Sequence, residues 1–402
     1  MNEIVHLIYN DRIESGILKN QVFLEAKIKS AFKKVTIILI WQPHIFLKEL
    51  KKIRSFSKYL TSIDINLICL PIALPSRYLE KTKLFSIYLK LIGRFLSFYL
   101  KKKIRNNYKI EIISRAYHAG VIASVIKSKV KKINHNFDPR SLYPEESVTV
   151  QKWSFGGKIY QNWKKQEKFI LHFTDKVSVV TPEMYQWFKS EGFKGEISLK
   201  HFNIDEKIFN LEISEPGLSN FYREKFNIRP DTIVFGFLGS LGSSRQWNSI
   251  YPYIKHLNSL YQLVGKNIEF CFAIKSSWLN KIQKTELTNS LKCKVIFLED
   301  LSIEESLSFF NLGCHIMLDG PDNITRVGIK VYEYLAAGLP ILTNSSAGAA
   351  CNLSKKMGGF IDIMSIYELD NHIVDDLKRM TKTNHRILIR KNFLKYLKEF
   401  KI

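Results

Sequence analysis

The chain has 402 residues, 46% of them apolar, which is enough for two or three domains with separate cores. Its five cysteines are an odd number without Cys-x-x-Cys spacing, and most sit in apolar stretches, so buried reduced thiols of a cytosolic protein are expected. The net charge of +24 is lopsided: residues 1–200 hold 36 Lys/Arg against 16 Asp/Glu, residues 201–402 hold 25 against 21, and the basic half therefore calls for an anionic partner, either nucleic acid or an anionic membrane surface.

The N-terminus lacks a basic stretch and a long apolar core, so it reads as a first strand and not as a secretory signal. Apolar runs then predict strands at 4–8, 35–40, 65–70, 110–114, 132–136 and 176–180, with helices at 21–30, 118–129 and 157–173 among them. Strands alternating with helices indicate a parallel sheet. Residues 78–108 read as a basic amphipathic helix. Leu84, Phe85, Ile87, Tyr88, Leu91, Ile92, Phe95, Leu96, Phe98 and Tyr99 recur at helical spacing, while Lys83, Ser86, Lys90, Arg94, Ser97 and Lys101 fill the other face, ahead of Lys102, Lys103 and Arg105. Lys90 and Arg94 break any apolar run of the ~20 residues a membrane span needs. Such a helix either packs on a core or lies in a membrane interface with its basic residues against anionic lipid; the charge of the first half favours the interface. The stretch 213–220, with Pro216 and Gly217, is the expected linker between a first domain at 1–210 and a second at 221–385. Beyond it strands are predicted at 233–238, 268–273, 294–297, 315–318 and 341–342, and residues 386–402 form a basic terminal helix.

Candidate chemistry sits where strands end. The strand at 110–114 runs into Arg115 and His118, and the next runs into Asp138, Pro139 and Arg140, with Pro144 further stiffening a loop where open α/β sheets hold ligands. Asp138 and Arg140 suit either acceptor hydroxyls or each other. In the second half the strand at 233–238 enters Gly239-Ser240-Leu241-Gly242 and then Arg245. The glycines let the backbone approach a phosphate, and Arg245 suits charge-assisted bonds to a diphosphate. Lys275 and Lys330 are further diphosphate candidates. Ser302 and Glu305 make a capping box. Finally Thr325, Arg326, Val327 and Gly328 lead from a polar loop into an amphipathic helix with one acid, Glu333, that stops at Gly338-Leu339-Pro340 before the strand at 341–342. Unpaired N–H groups at the start of that helix suit an anionic ligand.

This last segment resembles the donor-binding segment of GT-B glycosyltransferases of family four, where Glu-x-x-Gly is followed after four residues by Glu and then by Ala-x-Gly-x-Pro. Gly328, Glu333, Ala336, Gly338 and Pro340 fit that pattern, and Thr325 stands in the place of the first glutamate. The resemblance implies that Glu333 contacts the ribose of the donor and that the sugar contact of the first acid falls at Thr325. It also implies that backbone groups of Asp300 and Leu301 read the base. His118 would polarise the transferred sugar, beside Arg115, and Ser15, Gly16, Asp138 and Arg140 would belong to the acceptor side, as in relatives that build capsules, O-antigens and exopolysaccharides. Further likeness runs through Trp163 to Met184 and through Phe202-Asn203-Ile204-Asp205. The fold implied is α/β of the GT-B type, two Rossmann-like domains with parallel sheets facing a cleft, with 386–402 returning to the first domain. The activity implied is a retaining, metal-independent hexosyltransferase-like transfer from a nucleoside diphosphate sugar, expected to be UDP-linked. The expected acceptor is a lipid-linked oligosaccharide in cell-surface polysaccharide assembly, met by a cytoplasmic protein peripheral on the inner face of the membrane. No Asp-x-Asp at a strand end and no His-x-x-x-His predicts a metal site, and no cofactor is expected besides the substrate. Two rivals stand beside this reading: a nucleotide-sugar 2-epimerase of the same architecture, and a non-catalytic basic protein. Scattered lysines without arginine–aromatic interleaving weigh against nucleic acid.

Overall fold

The computed structural model describes residues 3–11, 13, 18–74, 79–103, 109–213, 220–229, 231–239, 247, 251–253, 257–258, 270–275, 279–363 and 372–399. The chain divides into two units, Met1–Asn203 and Ile204–Ile402. Ser15, Gly16, Arg105, most of the expected linker, Ser240, Gly242 and Arg245 lie outside the described residues.

In the first unit seven strands form one sheet: β1 (Glu3–Tyr9), β2 (Lys34–Ile40), β3 (Ile65–Leu70), β4 (Ile110–Arg115), β5 (Ile133–Asp138), β6 (Lys176–Val179) and β7 (Glu196–Leu199), in the order β3-β2-β1-β4-β5-β6-β7. Every pairing between them is parallel. Helices join them: α1 (Leu24–Ser30), α2 (Pro43–Thr61), α3 (Lys83–Lys103), α4 (Ala116–Lys129), α5 (Tyr143–Thr149), α6 (Lys158–His172) and α7 (Pro182–Ser190). The central strands are buried on both faces because helices cover both sides, so β2 reads as a nearly continuous β-branched run from Val35 to Ile40 and not as an alternation. Val35, Ile37 and Leu39 pack with Val22, Ala26 and Leu60 in one core. The helix predicted from residue 21 starts earlier, as a wider π-type segment over Leu18–Phe23, before α1 begins.

The second unit repeats the plan with six strands: β8 (Ile233–Leu238), β9 (Phe270–Lys275), β10 (Lys294–Phe297), β11 (Leu312–His315), β12 (Ile341–Thr343) and β13 (Phe360–Asp362), in the order β10-β9-β8-β11-β12-β13 and all parallel. Its described helices are α8 (Glu206–Phe209), α9 (Asn220–Lys225), α10 (Lys281–Ser290), α11 (Ile303–Phe309), α12 (Ile329–Ala336), α13 (Gly348–Met357), α14 (His372–Met380) and α15 (Thr383–Glu399). The strand predicted at 315–318 lies three residues earlier. Within it Gly313 leaves room for the ring of Tyr334, whose atoms would stand 2.4 Å from a Cβ. α12 stops at Gly338, whose φ of 70° lets the chain turn back towards β12, as the Gly-x-Pro spacing predicts. The terminal helix α15, expected to return to the first domain, has buried residues Arg386, Ile389, Phe393 and Tyr396 and packs against α12 and α13 of the second unit. The ring of Phe393 meets that of Tyr332 edge-on at 5.3 Å.

Both sheets share one consequence of strand order. Growth runs outward one way from the first strand and then resumes on its other side, between β1 and β4 in one unit and between β8 and β11 in the other. Loops that leave neighbouring strands in opposite directions open a crevice at the carboxyl ends there. No helix among the described residues is long and apolar enough to cross a membrane.

Candidate functional site

In the second unit the crevice lies beyond the ends of β8 and β11. β8 ends at Leu238, and Gly239 follows at φ 116°, a backbone state suited to glycine alone, with its N–H donated to the Lys275 carbonyl at 3.2 Å. Across from it the loop 316–328 is pinned from inside. The Asn344 side chain accepts from the Met317 N–H at 3.0 Å and donates to the Met317 carbonyl at 2.8 Å, and Asn323 donates to the Leu318 carbonyl at 2.5 Å. Asp322 is fully buried with Arg326 3.5 Å away. Thr325 is fully buried too, and its hydroxyl donates to the Asp322 carbonyl at 3.3 Å. A neutral hydroxyl tolerates this enclosure, whereas an ionised glutamate here would lose its hydration. Thr325 and Arg326 thus brace the loop that delivers the chain to Gly328, the residue before α12.

α12 carries the chemistry. Tyr334 anchors it: the hydroxyl accepts the Leu238 N–H at 2.8 Å and faces the carbonyls of Gly236 and Cys314 at 3.3 and 3.4 Å, so one side chain ties the helix to both strands of the switch point. Lys330, one turn earlier, is buried with its ammonium 3.9 Å from the centre of the Phe237 ring. Burial lowers its pKa from 10.5 to about 7 against the opposing pull of Cys314 and Glu333. Glu333 is also buried, and burial raises its carboxyl from 4.5 to about 7, with Lys330 pulling it back down. A base and an acid three residues apart on one helix are therefore both poised near neutrality, which is uncommon for side chains that merely pack.

Lys275 does otherwise than the sequence suggested. Its ammonium donates to the carbonyls of Leu298 and Glu299, each at 3.3 Å, and to that of Leu301. Its donors shape the turn that contains Asp300 and Leu301, the segment expected to meet a base, and are not left facing a diphosphate. The capping box after that turn is present as predicted: Ser302 accepts from the Glu305 N–H at 3.1 Å, and Glu305 accepts from the Ser302 N–H at 2.6 Å.

In the first unit the crevice beyond β1, β4 and β5 has a common backbone feature. Asn10, Ala116 and Arg140, each just past one of those strands, adopt φ of 58°, 62° and 63°. A left-handed alanine or arginine costs roughly 1 kcal/mol, and such residues gather at functional turns. The register sets Arg115 beside Asp138. Asp138 accepts from Arg140 at 2.7 Å and lies 3.8 Å from Arg115, so the two candidates Asp138 and Arg140 are a pair. Burial, and then the neighbouring Arg140, lowers Arg115 to about 10. Two residues missed in the sequence join this cluster. Lys200, after β7, pairs with Glu25 of α1, which Lys29 also meets at 2.7 Å; burial pushes the Glu25 carboxyl up, but Lys200 and its neighbours hold it far below the usual carboxylate range. Nothing in the sequence spacing joins residues 25 and 200; only the sheet does. His118 is enclosed: its ring stacks on Tyr9 at 5.3 Å, meets Trp163 edge-on at 5.0 Å, and its Nε2 lies 3.0 Å from Glu80. Among the described residues no three His, Cys, Asp or Glu side chains gather as metal ligands.

The sequence matches no protein-family model and no curated protein. Solved structures match over nearly its whole length. They include the E. coli trehalose-6-phosphate protein bound with UDP-2-fluoro glucose, at TM-score 0.65 and 11% identity over 100% of this chain and 96% of that one. HepE of Anabaena in complex with UDP and glucose matches at TM-score 0.60 and 13% identity over 99% and 100%. The N-terminal domain of Candida albicans trehalose-6-phosphate phosphatase matches at 0.63 and 13% over 98% and 93%. With two parallel-sheet α/β units of matching strand order, the chain has the GT-B fold.

Proposed function

We propose that this protein is a metal-independent, retaining glycosyltransferase that moves a sugar from a UDP-linked donor to a lipid-linked glycan acceptor in surface polysaccharide assembly, at the cytoplasmic face of a membrane. The observation that carries the donor half is the position of Lys330 and Glu333, two buried and oppositely shifted groups on α12, the helix anchored at the switch point of the second sheet. Bound nucleotide in two of the similar structures supports the choice of UDP. A diphosphate near Lys330 favours the ammonium over the amine, so donor binding would itself charge the lysine. As the bond from the anomeric carbon to the diphosphate breaks, UDP takes the bonding pair, and Lys330, the N–H groups at the start of α12 and Arg245 offset its charge. The acceptor oxygen bonds to the anomeric carbon and passes its proton to a phosphate oxygen of the departing UDP. Glu333 accepts from the ribose hydroxyls and fixes the nucleotide. In the first unit the Asp138–Arg140 pair and Arg115 line the acceptor side, and the excess of basic residues in that half supports an acceptor at an anionic surface.

A thermal-shift screen against UDP, GDP and ADP sugars tests the reading, since a ligand that binds only the native state raises its melting temperature. A shift with a UDP sugar, followed by acceptor-dependent release of UDP, is the expected result. Absence of any nucleotide-sugar shift overturns it, and UDP release with no acceptor present would favour the epimerase instead.

A further inference from the structure

We infer that the outer face of α3 is a membrane-docking surface that takes an anionic lipid bilayer. The helix has two apolar faces. Phe85, Leu89, Ile92, Leu96 and Leu100 are buried, and the helix sits hard against α4 at Gly93, where a Cβ would stand 2.7 Å from the Val125 Cβ and 2.8 Å from the Ile122 carbonyl oxygen. Ser86 and Ser97, expected on a solvated face, are buried on this side, their hydroxyls turned back to the Lys83 and Gly93 carbonyls at 2.8 and 2.6 Å. The inner face therefore already closes the core of the unit. On the other side Leu84, Ile87, Leu91, Phe95 and Phe98 are each between 51% and 75% exposed. Their spacing of three, four, four and three residues makes a single stripe roughly 21 Å long at the helical rise. Five large apolar side chains in one row are not the scattered exposure usual on a soluble surface.

Charge decides the occupant. Lys83, Arg94, Lys101 and Lys102 are exposed on the same helix, and α3 contains no acidic residue. Among the described cations of the helix Lys90 is the exception, turned inward over the Phe169 ring at 4.6 Å. A second copy seated on this stripe would set these cations against their like, in a half-chain that already carries twenty more basic than acidic residues. Anionic lipid headgroups answer them, while the leucine and phenylalanine side chains enter the acyl boundary and the helix lies in the plane of the interface. The inference extends the proposed function, because a lipid-linked acceptor is met at such a surface, but vesicle binding needs no substrate.

The test is flotation of the full chain with vesicles of phosphatidylglycerol and phosphatidylcholine, and with phosphatidylcholine alone. The protein should float with the anionic vesicles and fall away as salt is raised. Phe95→Ser with Phe98→Ser, both at exposed positions, should lower partitioning about tenfold or more, and Lys101→Gln with Lys102→Gln should lower it by a similar factor. In Phe98→Trp the fluorescence should shift to the blue on adding vesicles and be quenched by brominated lipid. No flotation, variants that float like the parent, or a dimer in solution that the Phe95/Phe98 variant abolishes would each overturn the inference. Nucleotide-sugar thermal shifts on the same proteins should be unaltered; a parent that floats but shows no such shift would sink the donor reading and leave this one standing.

Discussion

Replacing Lys330 by methionine should make the ligand-free protein more stable at pH 6 and unable to hold a nucleotide diphosphate. The ammonium is charged below about pH 7 in the folded chain and below 10.5 in the unfolded one. Between those values the unfolded state binds the extra proton, so this residue's contribution rises with pH; at pH 6 both states are charged and the full penalty of burying the ion is present. A drop from 10.5 to about 7 corresponds to about 5 kcal/mol. Relaxation and water entry soften the penalty of a buried ion, so a gain of about 2 kcal/mol is the reasonable expectation for a side chain that keeps its contact with Phe237 through a thioether. Glu333 does not blur the comparison, because with its pKa at about 7 it is already largely protonated at pH 6. Urea unfolding at pH 6 and pH 9 measures the effect: the gain should be present at pH 6 and shrink at pH 9, where the parent lysine is largely neutral. In parallel, the shift in melting temperature with the best nucleotide sugar should vanish. A variant that is less stable at pH 6 and still responds to nucleotide would refute the reasoning, since Lys330 would then be a packed residue with no part in holding a diphosphate.

Three further outcomes follow from neighbouring groups. Glu333→Gln should weaken nucleotide-sugar binding at pH 8, where the parent carboxylate is ionised, by about 1–3 kcal/mol, and by less at pH 6; calorimetric titration at the two pH values checks the difference. Tyr334→Phe removes the acceptor of the buried Leu238 N–H and should cost about 1–3 kcal/mol in urea unfolding, with nucleotide binding weakened alongside because α12 loses its anchor. His6 and His135, which burial holds at about 4, stay neutral when folded but protonate in the unfolded chain. Stability present above pH 6.5 should therefore drain away as the pH falls towards 4, by up to about 3 kcal/mol for each; unfolding midpoints that do not move between pH 7 and pH 4.5 would show that the two rings are hydrated.

The parallel sheets were legible because buried strands leave a strong sequence trace: the runs at 35–40, 65–70, 233–238 and 294–297 coincide with β2, β3, β8 and β10. What escaped was short or peripheral. β7 is an edge strand of four partly exposed residues and β13 has three, too few for a periodicity to stand out. The two units divide after Asn203, ahead of the end at 210 read from the sequence, and α8 packs with α11 and α12, an association no local signal predicts. In the second unit the spaced pattern placed Gly328 and Glu333 on one segment, whereas the surroundings of Thr325 and Lys275 depend on which carbonyls the fold brings near them. The Glu25–Lys200 pair spans most of the first unit in sequence and could be found only in three dimensions. For α3 the helical period was plain, but which of its apolar residues faced the core was not, because both faces are apolar.

Tyr334, wedged into the space left by Gly313 and bonded across two strands, makes α12 a fixed datum for everything bound near it. A helix fastened so firmly has no freedom to slide or roll to suit a ligand of different shape; any drift would first have to prise a hydroxyl from the strands and expose a hole in the sheet. Variation in whatever binds beside that datum is then left to the described stretch 316–328, while the helix stays as it is. Exchanging that stretch between chains of this fold, with α12 and its tyrosine untouched, is accordingly the economical way to alter what binds there without disturbing the sheet.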